Sequence, residues 1–191
     1  MERVGRRSRS SGNQGDLRLR KSRRTVETTV TFLEMTSPAA QRVPAPANVK
    51  LALMLAENPP VHFYRYLYDT IGRSHLWVDR RRLSDAELAE VITAEGVDIF
   101  VAYGNGVPAG YFELEWRNGG EMWLAYFGII PEFRGRGLGK WLLSEALAAA
   151  WLKVPERVRV ETCTLDDPRA LPLYQRLGFT PYERRQKIME A

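Results

Sequence analysis

Little in this chain points to metal, disulfide or membrane chemistry. Its 191 residues include one cysteine, Cys163, and two histidines, His62 and His75. A single thiol excludes a disulfide framework and a cysteine-based metal site, and two histidines are too few to suggest a metal centre. Cys163 lies on an apolar strand, where a buried structural thiol is the expected reading. No uncharged apolar run reaches the roughly 18 residues of a membrane span. No apolar segment follows the N-terminal charges, which excludes a secretory signal. The expected setting is cytoplasmic. Two phosphate-binding signatures are also missing. Trp141 follows Lys140, so there is no Walker loop, and no acidic residue ends a strand about 20 residues after the glycine-rich loop, so there is no Rossmann fingerprint.

Charge is unevenly placed. The chain carries a net +5. Residues 1–24 hold nine Arg/Lys against Glu2 and Asp16, a surplus of +7, which leaves −2 for the rest. Ser, Gly and Arg dominate this stretch and offer almost nothing to bury, so 1–24 is expected to be a basic, disordered tail. A solvated extension is the favoured reading. Phosphate attraction to nucleic acid is a weaker one, because no aromatics are interleaved for base stacking. A transit peptide lacks a clear amphipathic face. Apolar residues make up 45% of the whole chain, ordinary for a protein that buries a core, and the length predicts one domain, placed at 25–191.

Periodicity divides that domain. Thr25 to Met35 is rich in Thr and Val and reads as a strand. Pro38, Pro44 and Pro46 mark a loop, and Val49 to Ala56 reads as a second strand. Pro59 or Pro60 opens an aromatic helix ending near Gly72. Ser84 and Glu87 form a capping box for a helix to about Ala94. Strands follow at Ile99 to Tyr103, Gly110 to Arg117 and Met122 to Ile130. Asn105-Gly106 is a hairpin turn between the first two, and Asn118-Gly119-Gly120 turns into the third. Leu142, Leu143, Ala146, Leu147, Ala150 and Trp151 recur at helical spacing within Leu138 to Leu152. A strand from Val158 to Leu165, a helix from Arg169 to Leu177 and a strand near Tyr182 to Met189 complete the chain.

Two blocks carry the chemistry. Tyr126 to Lys140 runs from an apolar strand through a Gly/Arg loop into a helix. Glycines without Cβ let that loop approach a ligand closely, and the free N–H groups at the helix start favour an anion. The order Arg134-x-x-Gly137-x-Gly139 resembles the pyrophosphate loop of the GNAT superfamily of acetyl-CoA-dependent N-acetyltransferases. The second block, Asp167-x-x-Ala170-x-x-x-Tyr174 followed by Gly178-Phe179, resembles the superfamily's other hallmark, with Asp167 in the Asn position. The resemblance covers about 97 to 185 by motif and 25 to 96 by layout. It implies an α/β (α+β) GNAT fold: a central, mixed, mostly antiparallel sheet of six to seven strands flanked by helices.

The resemblance further implies acetyl-CoA as co-substrate, no metal, and attack of a neutral amine on the thioester. Arg134, Gly135, Arg136, Gly137, Leu138, Gly139 and Lys140 would cradle the pyrophosphate. The main chain of Phe127, Gly128, Ile129 and Ile130 would pair with the pantetheine arm, the N–H of Phe127 or Ile129 facing the thioester oxygen. Asp167 and Tyr174 would complete the cofactor contacts, with Tyr174 as general acid to the thiolate. Superfamily members often place a glutamate where this chain has Trp123. Glu121, two residues earlier on the same face, is the first candidate base and Glu113 the second; Glu115 shares a face with Glu113. Phe63, Tyr64, Tyr66, Tyr68, His75 and Trp77 supply an aromatic acceptor side, although Tyr64 and Tyr68 at i, i+4 suit a core as well.

The expected partners are acetyl-CoA and an amine-bearing small molecule or peptide, with no membrane; a homodimer is compatible. A silent acyl-CoA-binding domain is the alternative that Trp123 supports. A ribosome- or nucleic-acid-associated acetyltransferase recruited by the tail is the other.

Overall fold

A computed structural model describes residues 25–117 and 119–190. The predicted tail, 1–24, and Asn118 of the second turn lie outside the described residues. The chain forms β1 (Thr25–Met35), β2 (Leu51–Leu55), α1 (Val61–Gly72), α2 (Asp85–Ile92), β3 (Val97–Gly104), β4 (Val107–Arg117), β5 (Glu121–Ile129), α3 (Leu138–Leu152), β6 (Arg157–Cys163), α4 (Ala170–Arg176) and β7 (Thr180–Glu190). The order of elements matches the periodicity. The hairpin strands reach further than expected, because Asn105 and Gly106 both take left-handed φ (53° and 90°) and let Gly104 pair directly with Val107. α2 stops at Ile92, where the Thr93 hydroxyl turns back to the Ala89 carbonyl. Its capping box is complete: Ser84 accepts from the Glu87 N–H and Glu87 accepts from the Ser84 N–H at 2.7 Å.

All seven strands make one sheet in the order β2-β3-β4-β5-β6-β1-β7. Neighbours are antiparallel except β5 and β6. The N-terminal strand β1 therefore sits between β6 and β7. Each face of the sheet has its own core. Leu142, Leu143, Ala146 and Leu147 of α3 pack on Phe112, Leu114, Met122 and Leu124. Tyr64, Leu67 and Ile71 of α1 pack with Leu88, Ile92, Ile99 and Tyr111 on the other face. Burying each such leucine or isoleucine contributes about 1.5–3 kcal/mol.

Two local features open the sheet. Glu113 pairs with Tyr126 but Leu114 with Leu124, so Ala125 is an extra, bulged residue in β5. Beyond it the parallel pairing with β6 ends, at Leu124 and Val160. The C-terminal half of β5 then runs free on that side. Gly128 lies in this half and lets α1 press onto the strand: a Cβ there would stand 2.2 Å from Ile71 Cγ2. Ile71 is buried and β-branched, so it has little room to yield. Gly128→Ala is expected to destabilise the fold by about 1–3 kcal/mol. A lowered urea midpoint at unchanged slope would check this.

Candidate active site

The gap between β5 and β6 is the floor of a cleft of about 1110 Å³. Strand geometry decides which backbone groups face it. The Ile130 N–H donates to the Ala109 carbonyl, so alternation turns the N–H groups of Gly128 and Tyr126 to β4 as well. Phe127 and Ile129 then point theirs into the gap. The Ile129 carbonyl confirms this direction by accepting from Arg134 Nε at 3.2 Å.

At one end of the gap the chain turns into α3. Gly135 and Gly137 adopt φ of 77° and 85°, a conformation that favours glycine, and Gly137 is the N-cap of α3. Among the described residues no side chain caps this helix, so its first N–H groups are open toward the cleft. Gly139 is less constrained, with its nearest neighbours at ordinary contact distance, Leu173 at 3.8 Å. Arg134, Gly135, Gly137, Leu138 and Gly139 line the cleft, as do Phe127, Gly128 and Ile129. Arg136 and Lys140 do not: Arg136 lies over the Phe133 ring at 5.3 Å, and both are exposed. Ile130 is buried in the α1-side core. Arg134 has a second role, since its Nη2 reaches His75 Nε2 at 3.5 Å and so ties the loop to the segment after α1.

Tyr174 of α4 enters the cleft from the α3 face. It is 6% exposed and stands edge-on to Phe127 and Phe179, with ring centroids 6.2 Å and 5.8 Å apart. Burial, with the Asp166 carboxylate nearby, pushes its phenol up, so it keeps its proton through neutral pH. Asp167 also lines the cleft. Hydrogen bonds from Arg169 hold its carboxyl well below the usual range. Cys163 is half-buried at the end of β6 and lines the cleft, rather than lying in the core. The gap exposes it, and its N–H is held by Asp166 Oδ2 at 2.8 Å.

Neither candidate base lines the cleft. Glu121 is held at the start of β5 by Arg159 at 2.8 Å and by Trp123 Nε1 at 3.2 Å. Glu113 is fully buried, accepting from Tyr64 Oη and Arg80 Nη2, each at 2.6 Å. Burial pushes its carboxyl up, against the opposing pull of Arg80 and Tyr64. The carboxylates that do line the acceptor half are Asp79, Glu115 and Glu161. Arg80 bridges Glu113 to Glu115, the latter at 2.9 Å, and Arg117 holds the other Glu115 oxygen at 2.7 Å. Sequence reading missed Arg80, because it is one of three consecutive arginines and nothing local distinguishes the one drawn inward. Trp123 lines the cleft with Arg117 stacked 4.3 Å from its ring centroid. Of the aromatic acceptor set, Tyr68, His75 and Trp77 line the cleft; Tyr64 is core.

The profile of the Acetyltransferase (GNAT) family matches residues 62–179, which spans the gap, the glycine loop and Tyr174. The chain belongs to the GNAT acetyltransferase family. Solved GNAT structures share its fold. A GCN5-related N-acetyltransferase from Sphaerobacter thermophilus is 17% identical with a TM-score of 0.63, over 87% of this chain and 51% of that one. A tandem GNAT protein from the clavulanic acid biosynthesis pathway is 22% identical with a TM-score of 0.62, over 86% and 53%. An aminoglycoside N-acetyltransferase in complex with CoA is 23% identical with a TM-score of 0.52, over 73% and 94%. The chain thus spans about half the length of the first two. No curated protein sequence matches it significantly. No helix among the described residues is long and apolar enough to cross a membrane.

Proposed function

We propose that this GNAT domain is an N-acetyltransferase that moves an acetyl group from acetyl-CoA to a primary amine of a small molecule or peptide, in the cytoplasm and without a metal. One observation carries the reading: a single gap joins the free N-terminus of α3, the unpaired N–H groups of Phe127 and Ile129, and the Tyr174 hydroxyl. The residues fit the co-substrate. The left-handed glycines at 135 and 137 leave the α3 N–H groups open to a pyrophosphate, and the free edge of β5 suits an amide-bearing arm.

Acetyl-CoA supplies the activated acetyl thioester. The N–H of Phe127 or of Ile129, both facing the gap, would donate to the thioester oxygen as charge develops there. The amine gives its proton to water or a cleft carboxylate as the C–N bond forms and the C–S bond breaks. Tyr174 donates its proton to the departing sulfur and recovers one from solvent. Asp79 or Glu161, which line the cleft and hold no ion pair among the described residues, serve the acceptor proton better than the buried Glu113 or the ion-paired Glu115 and Glu121.

The test is CoA binding by calorimetry beside thiol release with a panel of amines. Gly137→Glu should abolish CoA binding, a loss of at least about 100-fold, by placing a carboxylate where a left-handed glycine faces phosphate. Unchanged affinity would refute the cradle. CoA binding with no amine-stimulated release would favour a silent CoA-binding domain.

A further inference from the structure

The gap in the sheet has two lips. One is the turn after β5 that carries Arg134, and the other is the turn after β6 that carries Leu165. The pairing of β5 with β6 ends at Leu124 and Val160, before either lip is reached. His75, between α1 and α2, touches both. Its Nδ1 stands 3.4 Å from the Leu165 carbonyl oxygen, and its Nε2 stands 3.5 Å from Arg134 Nη2. His75 is half-buried, and it lines the cleft together with Arg134.

The two partners fix the chemistry of the ring. A carbonyl oxygen only accepts and a guanidinium only donates. Nδ1 therefore carries the proton and donates to Leu165, while Nε2 accepts from Arg134. Both nitrogens are engaged, so His75 is not left to take the proton of an acceptor amine. Arg134 is held twice, since its Nε also donates to the Ile129 carbonyl. These bonds use two of the five N–H donors of the guanidinium and leave the rest for a ligand.

The backbone is bent to aim this ring. Leu76, the next residue, has φ of 55°, a left-handed conformation that is costly for a residue with a Cβ. Its neighbours keep that strain in place. The Trp77 N–H donates to the Gly72 carbonyl at 3.2 Å, and a Cβ on Gly72 would stand 2.5 Å from the Trp77 ring. Relaxing Leu76 would pull Trp77 off Gly72 or swing His75 away from the two lips.

We infer that His75 is a positioning residue for the cofactor: it clasps the two lips of the gap and holds the Arg134 guanidinium at the cleft, ready for the pyrophosphate of CoA. The inference rests on the acetyl-CoA reading above, but binding alone can test it.

CoA affinity by calorimetry is measured beside the KM for acetyl-CoA by thiol release. His75→Leu should raise the CoA Kd about fivefold or more, because a hydrogen bond to a charged group is lost. The change in kcat/KM for acetyl-CoA should lie mainly in KM. His75→Gln brings an amide oxygen to the neighbourhood of Nε2 and should keep most of the affinity. In a double-mutant cycle, His75→Leu should add little once Arg134 is replaced by alanine. An unchanged Kd in His75→Leu overturns the inference, as does a glutamine variant as weak as the leucine variant. Additive effects of the two substitutions overturn it too. If the wild-type protein binds CoA without amine-stimulated release, acetyl transfer is removed and the Kd values alone decide the role of His75. If the wild-type protein does not bind CoA, both readings fall.

Discussion

Replacing Arg80 by alanine is expected to cost about 3–5 kcal/mol of folding stability, as removal of one partner of a buried ion pair does. Arg80 is 13% exposed and Glu113 not at all. The loss comes less from the missing attraction than from a carboxylate left in a dry site with only Tyr64 as a donor. The double variant with Glu113→Gln removes that charge and should recover much of the loss, which a double-mutant cycle would measure. Acidity should matter too. Burial already raises the Glu113 carboxyl in the folded protein, and loss of Arg80 raises it further. A raised carboxyl favours the folded state below its unfolded value, and that stability is lost as pH rises through the folded value. Arg80→Ala should therefore be least impaired near about pH 5 and most impaired above neutrality, as read by urea unfolding at both. An equal penalty at both would mean that Glu113 is not the group left exposed to the change.

Tyr174→Phe is the larger effect on activity. The variant keeps the ring that stands edge-on to Phe127 and Phe179, so the cleft wall should be unchanged. Only the hydroxyl goes, and among the described residues it holds no hydrogen-bond partner whose loss would disturb the fold. Turnover should fall by about 10²–10⁴, the range of general acid catalysis, while CoA affinity by calorimetry changes little. A full-rate variant would remove Tyr174 as the acid. An equal fall in rate and affinity would make it a packing residue against the cofactor.

Much of this architecture was legible because it is written in short-range chemistry. Thr25–Met35 and Leu138–Leu152 have the bounds that their β-branched content and 3.6-residue spacing predict. Asn105-Gly106 and the Ser84/Glu87 box are turn and cap devices whose geometry depends on a few neighbouring residues. The glycine loop and the Tyr174 block are equally local as motifs, and residues of both line one cleft.

Other features depend on residues far apart in the chain. No pattern within β1 says that it enters the sheet between β6 and β7, because its two faces and edges would pair equally well elsewhere. The bulge at Ala125 exists only as a mismatch of register between β4 and β5. The carboxylates show the same division. Glu113, Glu115 and Glu121 look alike along their strands, yet Glu113 is sealed beneath Tyr64 and Arg80, Glu121 is tied to Arg159, and Glu115 alone reaches the cleft. Local spacing sets each residue's backbone and the face it points to. Which charge meets which, and whether water reaches it, is set by segments that meet only after the sheet has closed.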